Sequence, residues 1–284
     1  MYSPIHSVEG ILFKRDDLYR LPNGVNGSKL RACEYLIDRA IKNGYRSITS
    51  GSACISPQHA IVSSVCRKRN IPLTTVIGGT TLGKAVKTHK SVQIAYHNGA
   101  KFDEIAVGYN PALQKRAKEL AQKQMAYYLT YGIAIEDEAS TQDLIAFHSK
   151  VAVQCRNIHC EHLILPFGSG NTGIGVLYGL SLLPSPPRKV SIMQIGVNRF
   201  AWASQRLERL GIVNGLDGLP FEVDIHVLHN NYATYGDKKK AHIGSINFHP
   251  TYEGKVVSYL NEQMPEFWQK RDNTVGFWIV GGQI

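Results

Sequence analysis

No stretch of this 284-residue chain reaches the roughly 20 uninterrupted apolar residues that a membrane-spanning helix requires. The opening MYSPIHSVEG also lacks the charged-then-apolar layout of a secretory signal, so a cytoplasmic protein with no membrane contact is the expectation. Cysteine is sparse: Cys33, Cys54, Cys66, Cys155 and Cys160 form an odd set with no CxxC pair, which speaks against a disulfide framework and against a zinc knuckle. Cys155, His159, Cys160 and His162 sit close in sequence at the end of a predicted helix, but their spacing matches no common metal site, and no metal is expected. Acid is the scarce charge. Asp and Glu number 22 against 32 Lys and Arg, a formal balance of +10. The excess recurs at Arg67, Lys68 and Arg69, at Lys84, Lys87 and Lys90, and at Lys238, Lys239 and Lys240. It reads either as a solvated basic surface or as the footprint of an anionic partner such as nucleic acid.

What is present is an alternation. Apolar, β-rich runs give way to amphipathic helical patterns along nearly the whole chain, with no repeat or low-complexity linker between them, which predicts an α/β fold with mainly parallel sheets flanked by helices. Strands are predicted at 47–50, 73–77, 102–107, 127–131, 162–167, 190–197, 221–228 and 274–280. The clearest helix follows Lys29, where Leu30, Cys33, Ile37, Ala40 and Ile41 recur at helical spacing and Asn43-Gly44 supplies a left-handed stop. Pro22-Asn23-Gly24 and Asn26-Gly27 mark an irregular turn just upstream, so Lys29 is delivered by a turn at a helix start, a placement that suits a reactive amine.

The segment HLILPFGSGNTGIGVLYGL reads as a buried strand, a turn of Gly168, Ser169, Gly170, Asn171, Thr172 and Gly173, and a helix from about Ile174. Glycines let backbone N–H groups converge on oxygen, Ser169 and Thr172 add hydroxyls, and the helix presents its positive end, so the turn is built to cradle phosphate. No lysine follows in the Walker position, and the loop lies past the middle of the chain, which argues against both a triphosphate P-loop and an N-terminal dinucleotide fold.

At KRDDLYRLPNGVNGSKLRACEYLI the chain resembles the aminocyclopropane-carboxylate deaminase and D-cysteine desulfhydrase group of the pyridoxal-phosphate-dependent fold type II (tryptophan synthase β-like) family. SACISPQHA resembles that family's loop beside the cofactor ring, FGSGNTGIG its phosphate loop, and PTYEGKV the segment that closes over the ring, in the family's order. The resemblance covers most of residues 10–284 in a chain shorter than typical members. It implies that Lys29 holds pyridoxal 5'-phosphate as a Schiff base, that Gln58, Gly168, Ser169, Gly170, Asn171 and Thr172 bind the cofactor, and that Glu253 contacts the pyridine nitrogen. It implies substrate contacts at Ser56, His59 and Tyr235, with Tyr252 as a second acid or ring-packing group. It implies further a large subdomain of residues 1–44 and 151–284, a small one of 45–150, a cofactor cleft and a homodimer.

Two departures bear on the reaction. The group's QSNHA becomes Ser56-Pro57-Gln58-His59, and Pro57 cannot supply the hydroxyl that the deaminases use. Near the C-terminus the family's HTGG becomes Ile279-Val280-Gly281-Gly282, and the Val280 side chain offers no hydrogen bond, leaving Glu253 to face the ring nitrogen. The expected function is a lyase acting at the α-carbon of an amino acid by elimination, deamination or decarboxylation. Two alternatives stay open: the same chemistry on an amino-acid group attached to nucleic acid, as in DNA base modification, and a non-catalytic binding relative.

Overall fold

The computed structural model describes residues 2–229, 232, 237–269 and 272–281. Its strands run β1 (Ile5–Val8), β2 (Ile11–Arg15), β3 (Ile48–Gly51), β4 (Leu73–Gly78), β5 (Lys101–Ile105), β6 (Tyr127–Leu129), β7 (His162–Phe167), β8 (Lys189–Gln194), β9 (Glu222–Val227), β10 (His242–Ile243), β11 (Ile246–Asn247) and β12 (Val275–Ile279). Helices are α1 (Lys29–Lys42), α2 (Gln58–Lys68), α3 (Leu82–Thr88), α4 (Lys90–His97), α5 (Asn110–Gln124), α6 (Thr141–Ala152), α7 (Asn171–Ser181), α8 (Phe200–Arg209) and α9 (Glu253–Gln263). Every strand predicted from the sequence overlaps an observed one. The hairpin β1–β2 had no clear signal, because IHSV is a half-exposed edge strand without clean alternation. Its two-residue turn, Glu9-Gly10, takes the left-handed pair of φ values, +52° and +74°, that matches strand twist in a hairpin.

The chain divides into two compact units, Met1–Tyr19 with Ser140–Gln283, and Arg20–Ala139. The first holds a six-stranded sheet ordered β1-β2-β12-β7-β8-β9, parallel from β2 to β9. Strands β7, β8 and β12 are apolar and almost wholly buried, as strands covered on both faces must be. Phe13, Phe248 and Phe277 pack ring against ring at centroid distances of 5.6–6.0 Å in the core between this sheet and α9. The buried Asp16 carboxylate ties the sheet's start to its last strand: it accepts from Trp278 Nε1 at 2.9 Å and from Ser3 Oγ at 2.5 Å.

The second unit holds a four-stranded, wholly parallel sheet ordered β5-β4-β3-β6. Residues 20–44, expected in the larger subdomain, pack here instead. Helix α1 lies on α2, joined by Lys68–Glu34 at 2.9 Å and Arg69–Asp38 at 2.6 Å, and Asn23 Nδ2 donates to Ser64 Oγ at 2.8 Å. Residues 140–150, expected in the smaller subdomain, begin α6, which packs on α7 in the first unit. Contacts between elements distant in sequence set these boundaries, so composition along the chain could not place them.

Removing the Asp16 carboxylate strands a buried indole N–H and a buried hydroxyl. Asp16→Ala is expected to destabilise the fold by about 1–3 kcal/mol, measured by urea denaturation with tryptophan fluorescence.

Candidate active site

In the second unit, the turn before α1 is closed by backbone bonds from Leu21 N to Val25 O (2.8 Å) and Gly24 N to Leu21 O (2.9 Å). Val25, Gly27, Ser28 and Leu30 are buried around it, which fixes where the first residue of α1 emerges. That residue is Lys29. It is half-buried, and desolvation draws its amine from the usual 10.5 down to about 8, leaving a useful fraction uncharged and nucleophilic near neutrality.

The loop from β3 to α2 departs from expectation at one residue and qualifies two others. His59, expected at the substrate, is fully buried: Nε2 lies 3.1 Å from Ser52 Oγ and 3.0 Å from its carbonyl, and Nδ1 lies 3.1 Å from Thr75 Oγ1. Burial pulls its pKa to about 4, so it is a neutral interior link between the chain just past β3 and the middle of β4. Gln58 is buried with its amide engaged by a neighbouring loop, Nε2 donating to Thr130 O (3.3 Å) and Oε1 accepting from Gly132 N (2.9 Å). Ser56 Oγ accepts from Gln58 N at 3.2 Å, shaping the turn into α2, and Pro57 sits at the helix cap without a side-chain polar group.

In the first unit, β7 delivers the glycine turn at its carboxyl end. Gly170 has φ +89°, and a Cβ there would lie 2.7 Å from the Trp202 ring, so only glycine fits. Gly173 is likewise pressed by the Phe167 ring. Helix α7 starts at Asn171 with no side-chain cap and no acidic residue in its first turn, so its opening N–H groups and positive end are available to an anion. Ser169 and Thr172 are half-buried beside it.

Sequence reasoning missed Gln194. It ends β8 directly opposite Phe167 of β7, fully buried, with Nε2 near the carbonyls of Phe167 (2.9 Å), Gly168 (3.3 Å) and Ile195 (2.9 Å). One side chain thus pins the start of the glycine turn to the next strand's exit. The available signal was a polar residue closing the apolar run KVSIMQ.

Glu253 opens α9 and is fully buried. Its Oε1 accepts from the backbone N–H groups of Val280 (2.9 Å) and Gly281 (2.5 Å), at the carboxyl end of β12, the strand beside β7. A Cβ on Gly281 would lie 2.8 Å from Oε2, so glycine makes room for the carboxyl. Oε2 has no hydrogen-bond partner among the described residues. Burial pushes the pKa up from 4.5 to about 7, against the pull of the two amides. A buried carboxyl with one oxygen anchored and the other unsatisfied fits a nitrogen base that brings a proton to share. Tyr252 is half-buried ahead of α9, its ring 5.1 Å from that of His249, and Tyr235 lies outside the described residues.

No family model matches the chain. A curated relative does: it is 30% identical over a 338-position alignment to the O-seryl-dTMP PLP-dependent decarboxylase of Salmonella phage ViI, spanning 96% of this chain and 78% of that protein. The chain belongs to the fold type II family of pyridoxal-phosphate enzymes. Among solved structures, an ACC deaminase homologue superposes with TM-score 0.72 at 19% identity (99% of this chain, 90% of the other). Escherichia coli diaminopropionate ammonia lyase superposes with TM-score 0.64 at 13% identity (100% and 83%). The chain is a pyridoxal-phosphate-dependent lyase, and the orphaned oxygen of Glu253 and the uncapped glycine turn, both on the carboxyl rim of one sheet, suit that cofactor's ring nitrogen and phosphate.

Two measurements follow from this geometry. A raised carboxyl pKa means that the folded chain binds the proton more tightly than the unfolded chain. Glu253 therefore contributes stability below about pH 4.5 that is lost as pH rises through about 7, at most roughly 3 kcal/mol. Denaturation of the cofactor-free protein across that window should show this decline, and Glu253→Gln should flatten it. For Gln194→Met, which keeps bulk and removes the donors, the dissociation constant for pyridoxal phosphate should rise about tenfold while that for pyridoxal stays unchanged, read by absorption titration.

Proposed function

We propose that this enzyme removes the α-carboxylate of an amino-acid group carried on a nucleotide. The observation that carries the reading is the similarity, over nearly the whole chain, to a decarboxylase whose name specifies a seryl group on dTMP. Two features support it. Pro57 stands where the deaminase group has a hydroxyl, which disfavours that group's deamination, and the formal charge of +10 suits an anionic carrier.

In the net change, R–CH(NH3+)–CO2− takes up one proton and gives R–CH2–NH3+ and CO2. Pyridoxal phosphate, when bound, supplies a cationic ring that accepts the electron pair left as carboxylate departs. Lys29 would hold the cofactor's aldehyde carbon, and its amine, drawn to a pKa of about 8 by desolvation, is suited to deliver the replacing proton to the α-carbon. Glu253, anchored by the amides of Val280 and Gly281, would keep the ring nitrogen protonated through Oε2. Gly168, Ser169, Gly170, Asn171 and Thr172 would bind the phosphate, and Gln58 would contact the cofactor ring. Ser56 would contact the substrate and Tyr252 would serve as a second acid or pack on the ring; Tyr235, also expected at the substrate, lies outside the described residues. The same reading carries a cytoplasmic homodimer. Among the described residues no helix is long and apolar enough to cross a membrane.

The purified protein with added pyridoxal phosphate should show a visible absorption band that borohydride fixes on Lys29. Lys29→Ala should lose both the band and CO2 release from a seryl-modified thymidine nucleotide, by about a thousandfold or more. Ammonia release without CO2 would turn the reading to elimination on an amino acid. Absence of the band in the wild type would leave a binding relative.

A further inference from the structure

Helix α8 carries a charge on the face where its spacing calls for an apolar residue. Ala203, Arg206 and Leu207 form its buried side, and Arg206 is only 2% exposed. Burying a guanidinium is costly, so an apolar residue at this position would serve the fold better. Its neighbours point to a use. The guanidinium carbon lies 5.2 Å from the centroid of the Trp202 ring, one helical turn back, as a cation held over an aromatic face. The same ring bears on the glycine turn, since a Cβ on Gly170 would lie 2.7 Å from it. Arg206 and the turn thus share one indole as a neighbour.

A second connection reaches the turn from α6. His148 is fully buried on that helix, which packs along α7, and a Cβ on Gly175 of α7 would lie 3.1 Å from the His148 carbonyl oxygen. Neither ring nitrogen of His148 makes a hydrogen bond of ordinary geometry with a described residue. Burial and then the Arg206 charge draw its pKa down to about 3, against the backbone of Asn171, which favours the imidazolium. Asn171 is the first residue of α7. Arg206 therefore has Trp202 on one hand and a neutral His148 on the other, and these adjoin the two successive turn residues Gly170 and Asn171. No acid stands in the first turn of α7, and Glu208 and Asp217, the acids nearest to Arg206 along the chain, are exposed.

We propose that Arg206 is a positioning residue for the cofactor's phosphate, a buried cation behind the glycine turn that favours the bound dianion through Trp202 rather than by contact. The inference rests on the cofactor and is independent of the substrate. The turn itself offers backbone N–H groups and a helix end, which are partial charges, whereas a phosphate monoester brings nearly two full negative charges near neutrality. A full positive charge fixed in the interior beside that turn acts at longer reach than one in water and is little screened by salt. Trp202 holds the guanidinium in place, and His148, being neutral, leaves the charge of this cluster to Arg206.

The test uses the full chain and compares pyridoxal phosphate with pyridoxal by absorption titration at low and high salt. It adds the phosphorus NMR signal of the bound cofactor at a pH of about 6, where a free phosphate monoester is roughly half dianion. Arg206→Met should raise the dissociation constant for pyridoxal phosphate about tenfold, equally at both salt concentrations, and leave that for pyridoxal within about twofold. Its bound phosphorus signal should move toward the position of the monoanion. Arg206→Lys, which keeps the charge, should stay within about threefold of the wild type and keep the dianion signal. A lysine variant as weak as the methionine variant assigns Arg206 to packing and overturns the proposal. So does equal weakening toward pyridoxal, a loss that vanishes at high salt, or a dianion signal unmoved in Arg206→Met. Should Arg206→Met fail to fold, Arg206→Gln is read in its place, and a tenfold loss in Arg206→Lys still overturns the proposal by itself.

Discussion

Parallel pairing of β12, β7, β8 and β9 is the constraint on which the larger unit depends. A parallel ladder admits no short hairpin, so each strand must hand its chain to a crossover, and all the handovers fall on the carboxyl rim. In register, Phe167 faces Gln194 and Gln194 faces Val227, so the glycine turn, the turn before α8 and the chain beyond β9 leave from one level. The amides of Val280 and Gly281 leave the same rim from β12. Groups scattered over more than a hundred residues of sequence thereby become neighbours on one edge, with apolar strands beneath that hold them still.

Against that rigid base the polar groups are left in tension. Desolvation moves the proton affinity of Glu253 into the neutral range against the two amides on Oε1, and Oε2 has no partner among the described residues. The start of α7 bears no acid and no cap, so its positive end is uncompensated. In the other unit, Lys29 loses proton affinity by desolvation. Each of these costs stability in the cofactor-free chain, and the two on the larger unit suit a ligand carrying a phosphate and a ring nitrogen.

Much of this was legible because it is local. The spacing of Leu30, Cys33, Ile37 and Ala40 together with Asn43-Gly44 fixed α1 and placed Lys29 at its start; the run HLILPF and its glycines fixed β7 and the turn. Other features were out of reach. His59 carries the same letter whether it meets substrate or links two strands from within the core, and it is Ser52 and Thr75 that make it the latter. Gln194 acquires its task from β7, and the affiliation of residues 20–44 comes from α2.

The sequence by itself determined the alternation of strands and helices, the lysine at the start of α1 and the anion-ready turn, since these depend on neighbours a few residues apart. Only the tertiary structure decided that Glu253 is buried with one oxygen lacking a partner among the described residues, and that His59 is interior. Burial and pairing are properties of what the folded chain brings from afar, and no local pattern encodes the distance between groups such as Glu253 and Gly281.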